Sequence, residues 1–403
     1  MRALSNRRLL FAALAILAAA QARNTWIIHQ NMPLVNSDLL VQVIATRDAL
    51  AGKNPYSDAA DRQIQRRVYG RVLRPGSRHD PIRFDYPGLI VPILAPFMRA
   101  RWAVIQYWFV ILAVPGLAAA FYWWARETLP SLRAVDHLSI AAVSLVAWPS
   151  VWALRLQQPT VVFFVLVTLA CLSAMRGQYA ISGACMAVSL IKPQLAVPLA
   201  LWMLVWTIRK RRWIFPAAMG ASLALLGLVS AWMFPGWLVP WLQNLRAYTH
   251  LAQPVYFAVA GVAMGSVVTF LVAATSLPPL WRLLTAPVQS RQFIQGAALS
   301  LAATLILTPV YSATVYDQIF LMPSAALLVS ARPKSAGAQL LRWAAIICLA
   351  ATVVCPVICA ALSIFLPRAP LPVLCLYFSF PLFIFGPPAV AATAIDTDWA
   401  AAT

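Results

Sequence analysis

The run WAVIQYWFVILAVPGLAAAFYWW, residues 102–124, contains no charged residue. About 20 consecutive apolar residues suffice to carry a helix across the hydrocarbon core of a bilayer. A chain with such a run folds with lipid as part of its solvent, and several comparable runs follow it. The rest of the composition agrees: 62% of the 403 residues are hydrophobic and 10% are charged, against roughly 25% charged in a soluble domain. The runs do not alternate polar and apolar residues, so they do not read as the strands of a membrane barrel. The expected fold class is an all-α polytopic membrane protein, a single integral unit over 1–403.

Charge sets the expected orientation. The net charge is +20, and the basic residues are scattered among apolar segments. That pattern fits cytoplasmic loops and contact with anionic headgroups, and it speaks against a nucleic-acid partner. RKRR at 209–212 anchors one cytoplasmic loop; Arg332, Lys334 and Arg342 mark a second, Arg282 and Arg291 a third. Counting outward gives about twelve spans, near 9–28, 102–124, 137–154, 159–175, 179–191, 194–208, 214–233, 258–278, 294–309, 318–331, 343–366 and 371–391, with both termini cytoplasmic. The first resembles a signal peptide ending Ala20-Gln21-Ala22; the preferred reading is an uncleaved helix with Arg23 snorkelling outward. Within 179–208 the KPQ of 192–194 breaks the pattern, and broken helices at membrane depth survive only where they line protein or water. GLIVPILAPF (88–97) is too short to cross and reads as a helix on, or dipping into, the outer surface.

This topology leaves one large outer loop, 29–87, holding Asp38, Asp48, Asp58, Asp61, Asp80 and Asp85, six of the 11 acids in the chain. It also holds nine lysines and arginines, among them Arg83. A second outer segment, 234–257, is rich in Trp and Pro. No P-loop, dinucleotide fingerprint, HExxH or CxxC occurs, and the histidines are dispersed. The six cysteines lie inside apolar runs and read as small apolar residues.

The remaining chemistry is acid and cation at the mouth of the membrane. Asp38 follows the first helix closely enough to stay near the bilayer surface, where a carboxylate would serve as general base toward a hydroxyl; the competing reading is an N-cap of LLVQVIATRDAL. Asp48, Asp58 and Asp61 read as solvated. Asp85 and Tyr86 stand in FDYPGLIVP at the return to the membrane. Lys192 sits at a helix break inside an apolar region, where an ionisable group is a functional hypothesis by default. Tyr316 and Asp317 stand at the outer end of a later span, and Arg155 with LQQP (156–159) at another outer turn.

In order along the chain, these elements resemble the GT-C membrane glycosyltransferases, specifically glycosyltransferase family 87, which includes bacterial mannosyltransferases using polyprenyl-phosphate-mannose. The resemblance rests on Asp38 opening a helix that closes at Gly52 and Tyr56; on Phe84-Asp85-Tyr86-Pro87-Gly88, where Gly88 replaces a second proline; on Gln157-Gln158; on Lys192-Pro193; and on Pro309 through Tyr316-Asp317. It implies a GT-C-like fold and an inverting hexosyltransferase at the extracytoplasmic face of a bacterial inner membrane. The donor would be a polyprenyl-phosphate-sugar and the acceptor a glycolipid or polysaccharide. Asp38 would be the catalytic base. Lys192, Arg155 and Arg83 would face the leaving phosphate, with Asp85, Tyr86, Gln158, Tyr316, Asp317 and His250 binding substrate. No cofactor is required; a divalent metal between Asp85 and Asp317 is compatible. The rival readings are a transporter or flippase of lipid-linked sugars, which would share the broken helix and the vestibule, and a non-catalytic membrane scaffold of envelope assembly, which would tolerate loss of Asp38 and Lys192.

Overall fold

The computed structural model describes residues 12–24, 26, 37–73, 82–249, 255–287, 290–307, 316–330, 333–366 and 389–390. His250, Pro309, Asp80, Arg332, Cys375 and nearly all of the expected span 371–391 lie outside the described residues.

Among the described residues the chain is helical, without a strand. Among the described residues four helices are long and apolar enough to cross a membrane: Trp102–Thr128, Ile214–Met233, Ala263–Leu283 and Ala336–Phe365. Their apolar side chains point outward as well as inward; Leu112, Trp232, Phe270 and Ile347 are all largely exposed. In water that surface would be prohibitive, and in lipid it is the ordinary outer face of a bundle.

The expected single span 137–154 is corrected to two helices, Ala134–Val146 and Trp148–Arg155, bent by 55°. The break falls at Ala147, whose extended backbone (φ −63°, ψ 148°) ends one helix and starts the next. Pro149 in the first turn of the second helix explains it, since proline cannot carry on the hydrogen-bond ladder of a preceding helix. If the pair counts as one span, the described residues hold a fifth candidate. Pro159–Met175 and Tyr179–Ser189, with 17 and 11 residues, reach only about 25 and 17 Å.

The break foreseen at 192–194 is present. The Tyr179–Ser189 helix ends before Leu190, Lys192 stands at the N-terminal boundary of the next helix without a side-chain capping hydrogen bond, and Pro193 takes its first turn, where its missing N–H leaves nothing unsatisfied. Lys192 and the RKRR loop thus sit at opposite ends of the Pro193–Arg209 helix, about 26 Å apart. At the basic end Arg209 stacks over Trp281 and Arg212 over Tyr179, while Lys210 donates to the Thr285 carbonyl.

Arg23 does not simply snorkel outward. It donates to Ser363 Oγ at 2.9 Å and to the Ser363 carbonyl, and Asn24 donates to the Pro356 carbonyl at 2.7 Å, tying the first helix to Ala336–Phe365. Segment 88–97 is a chain of three short helical pieces with Ile90 and Val91 buried.

Candidate functional site

The Asp38–Leu50 helix begins with Ser37, whose hydroxyl caps Leu40 N–H and donates to Gln157 Oε1 at 2.6 Å. Ser37, not Asp38, is therefore the N-cap. Asp38 occupies the first helical position, where the helix dipole favours a negative charge, and its own N–H donates to the Leu156 carbonyl at 2.9 Å. Gln157 takes the left-handed φ of 52° and also accepts from Gln106. A strained residue thus joins the start of this helix to the end of Trp148–Arg155.

The far end of the same helix is closed by Gly52, at φ +72°, with Lys53 N–H donating back to the Asp48 carbonyl at 2.9 Å. A residue with a Cβ would be strained there. Tyr56 follows and donates its hydroxyl to the Tyr86 carbonyl at 2.8 Å, with its ring on Phe84 and Phe234. Burial pushes that phenol well up from its ordinary range, so it remains a donor. The motif from Asp38 to Tyr56 is a brace: it carries the acid at one end and grips segment 84–86 at the other.

That segment is held from a second side. Trp241 Nε1 donates to the Asp85 carbonyl at 3.0 Å, Asn244 Nδ2 to the Phe84 carbonyl at 2.7 Å, and Arg83 to Asn244 Oδ1 at 3.3 Å. Trp237 lies on Gly88 so closely that an added Cβ would stand 2.6 Å from its ring. The glycine that interrupts the expected Tyr-Pro-Pro is therefore matched to Trp237.

These elements enclose a cavity of about 90 Å³ lined by Asp38, Gln42, Arg83, Asp85, Tyr86, Gln158, Lys192, Gln194 and Tyr316, with Val41 and Ile82. Seven of the candidates drawn from the sequence meet here, from positions 38 to 316: Asp38, Arg83, Asp85, Tyr86, Gln158, Lys192 and Tyr316. The Tyr86 phenol is held protonated by burial, then by the nearby carboxylates of Asp85 and Asp38, so it offers an O–H donor.

Asp317 stands one layer behind and does not line the cavity. It is fully buried, pairs with Lys192 Nζ at 3.1 Å and accepts from Thr160 at 2.7 Å, while Lys192 also donates to Thr160 Oγ1 at 2.7 Å. The Lys192 ammonium lies 5.2 Å from the centre of the Tyr316 ring. Of the three N–H donors of an ammonium, two are used by this triad and one is left for the cavity. Lys192 is thus no isolated cation, and with Asp317 so engaged the pairing of Asp85 and Asp317 around a metal is not what the side chains do. Among the described residues no three His, Cys, Asp or Glu side chains converge in a metal-holding group.

Three expectations need correcting. Arg155 does not line the cavity; its guanidinium lies 4.5 Å over the Trp152 ring, and its Nε is buried without a hydrogen-bond partner. Asp48 is buried, not solvated, and burial raises its carboxyl from the usual range against a partial pull from Lys53. Asp61 is largely covered, 3.9 Å from Arg83 Nε, and burial lifts it to about 6 despite that cation.

Gln42, Gln194 and Thr160 were missed. Gln42 lies four residues after Asp38 and so on the same helix face, a signal present in the sequence. Gln194 is part of the KPQ break itself. Thr160 carried no signal, because only the fold brings it to Lys192. Compared with known proteins, the chain matches no protein-family model and no curated sequence.

Proposed function

We propose that the protein is a membrane glycosyltransferase that moves a sugar from a polyprenyl-phosphate donor to a hydroxyl of a glycolipid or polysaccharide acceptor, on a GT-C-like frame of about twelve spans. The observation that carries this reading is the polar cavity in which Asp38, Arg83, Asp85, Tyr86 and Lys192 meet. On this reading Asp38 takes the proton of the acceptor hydroxyl as its oxygen bonds to the anomeric carbon. The bond from that carbon to the phosphate oxygen breaks with inversion, and the leaving group departs as polyprenyl phosphate. Arg83, the remaining N–H of Lys192 and the Tyr86 hydroxyl meet the charge that develops on it.

An amphiphilic donor is further supported by a second cavity of about 330 Å³, lined by Leu129, Ile140, Val143, Met322, Val329 and Leu349 among others. Two short elements lead from its rim to the polar site. Trp148–Arg155, starting beside Ala147, covers about 12 Å, and the 3₁₀ turn Tyr316–Leu321, ending before Met322, covers about 12 Å as well. With the phosphate in the polar cavity, the first isoprene units would bridge that spacing and later units of the chain would occupy the apolar cavity.

The basic loop at 209–212 and the cavity stand at opposite ends of one helix, which supports an extracytoplasmic site in a bacterial inner membrane. The rival reading, a flippase of lipid-linked sugars, draws on the buried Lys192–Asp317 pair at a helix break. The test is transfer in lipid nanodiscs, where flipping leaves no product. Purified protein is given radiolabelled polyprenyl-phosphate-mannose and a glycolipid extract, beside Asp38→Asn. Transfer by the wild type that drops by about 10²–10⁴ in the variant is the expected outcome. Transfer that survives Asp38→Asn removes Asp38 as the base. No transfer across a panel of lipid-linked sugars, with lipid scrambling in sealed liposomes, favours the flippase.

A further inference from the structure

The helix Leu238–Thr249 joins two candidate spans, Ile214–Met233 and Ala263–Leu283. It follows the end of Ile214–Met233 opposite RKRR. Two stripes run down it at i, i+4, i+7 spacing, offset by one residue. Trp237, just before the helix, with Trp241 and Asn244 faces the protein, where it holds Gly88, Asp85 and Phe84 as described. Leu238, Leu242 and Leu245 form the other stripe and are exposed, Leu238 at 49% and Leu242 at 41%. Gln243 and Arg246 are exposed on the flank beyond.

A leucine stripe bordered by Val239, 60% exposed, and then by the polar Gln243 and Arg246 is the pattern of a helix lying in the headgroup boundary with its apolar side buried roughly 5–10 Å. Its place in the chain favours lipid over a second protein as the occupant. The preceding span ends in Trp232, 81% exposed, a residue type that settles at the membrane interface, and Leu238 follows within two turns of chain. The helix is about 18 Å long and only four residues separate it from the end of the Ile214–Met233 span, so its beginning is held close to the surface.

We propose that Leu238–Thr249 is an interfacial helix whose Leu238, Leu242 and Leu245 are seated in the lipid, and that the bilayer thereby braces the cavity wall at 83–88. The coupling is mechanical. Each backbone carbonyl fixed by Trp241 or Asn244 belongs to the segment that brings Arg83, Asp85 and Tyr86 to the cavity, so the position of the helix is the position of that wall.

The test uses the full chain in nanodiscs of phosphatidylethanolamine and phosphatidylglycerol. The photoreactive residue p-benzoylphenylalanine replaces Leu238, Leu242 or, as an orientation control, Gln243. After illumination, phospholipid adducts are expected at the two leucine positions at about ten times the yield at Gln243. Crosslinks to a second copy of the chain would overturn the proposal in favour of a self-association face, and equal or absent lipid adducts at all three positions would overturn it outright. The bracing is read separately by amide hydrogen exchange. Leu242→Asp should speed exchange over residues 84–88, while Leu242→Phe should leave it unchanged. Unchanged exchange in a folded Leu242→Asp protein would refute the coupling. Neither readout depends on catalytic activity.

Discussion

The buried pair Lys192–Asp317 yields the most exposing prediction. The two side chains are 6% and 0% exposed and 3.1 Å apart. Coulomb's law at an effective dielectric of about 20 gives roughly 5 kcal/mol of attraction at that separation. Desolvation of both groups offsets much of this, so the pair need add little net stability. Removing one partner is different, because it strands the other charge at a cost of about 3–5 kcal/mol. Lys192→Met leaves the carboxylate with the Thr160 hydroxyl as donor, and Asp317→Asn leaves the ammonium with Thr160 and a neutral amide. Each single variant should therefore lose about 3–5 kcal/mol, whereas the double variant Lys192→Met/Asp317→Asn should lose about 3 kcal/mol less than the sum of the singles. The assay is equilibrium unfolding of the full chain in mixed micelles. In parallel, retention of polyprenyl phosphate should be low in Lys192→Met and stay low in the double variant, which separates anion binding from folding. A coupling energy under about 1 kcal/mol, the range of exposed pairs, would refute the burial argument.

Other sites give sharper local tests. Gly88→Ala drives a Cβ into the Trp237 ring and should cost about 1–3 kcal/mol of stability, recovered in part by adding Trp237→Leu; an unchanged melting curve for Gly88→Ala would count against the close packing. Tyr56→Phe removes the hydroxyl bonded to the Tyr86 carbonyl and should cost about 1 kcal/mol, measured by the same unfolding. Asp61, raised from 3.8 to about 6 by burial, holds an extra proton in the folded state between those values. Its contribution to stability is therefore present below about pH 4 and is lost as pH rises through about 6. Asp61→Asn should flatten that part of the stability–pH curve, and a curve identical to wild type would show that Asp61 does not titrate there.

How much of this was legible in the sequence depends on the distance over which each property is set. The apolar runs at 102–124 and 214–233 declared their helices because a bilayer imposes its thickness on the chain residue by residue. The break at Lys192-Pro193 was legible for the same local reason, since proline ends or starts a helix by its own ring. Pro149 carried the same signal for the bend at Ala147, but the run 137–154 is apolar throughout and its hydropathy hides the bend. The cavity was legible as a set of residues and not as a geometry. Tyr56, Gly88 and Trp237 explain one another only once 84–88 is seen between two helices. Arg155 was placed by its turn at the correct end of the bundle, yet the turn does not say which way the side chain leaves, and Trp152 captures it. The burial of Asp48 and the coupling of Lys192 to Asp317 across 125 positions are set by the packing of whole elements and have no local signature.

The charges around the cavity bear on how the proposed reaction would turn over. Lys192 and Arg83 are each backed by an acid, Asp317 and Asp61, while Asp38 and Asp85 stand on the lining itself. Such a cavity matches a singly charged phosphodiester better than a doubly charged phosphate. A polyprenyl-phosphate-sugar is the former, and the polyprenyl phosphate left after transfer approaches the latter above about pH 6. Total charge is nevertheless conserved in the step: the proton that Asp38 accepts neutralises one carboxylate as the leaving phosphate gains one negative charge. In the proposed reaction the product would therefore be held best while Asp38 keeps that proton. Once Asp38 returns it to solvent, the restored carboxylate and the dianion repel each other at short range. On this reading the acid that starts the reaction also ends it, and Asp38→Asn would slow product release along with chemistry.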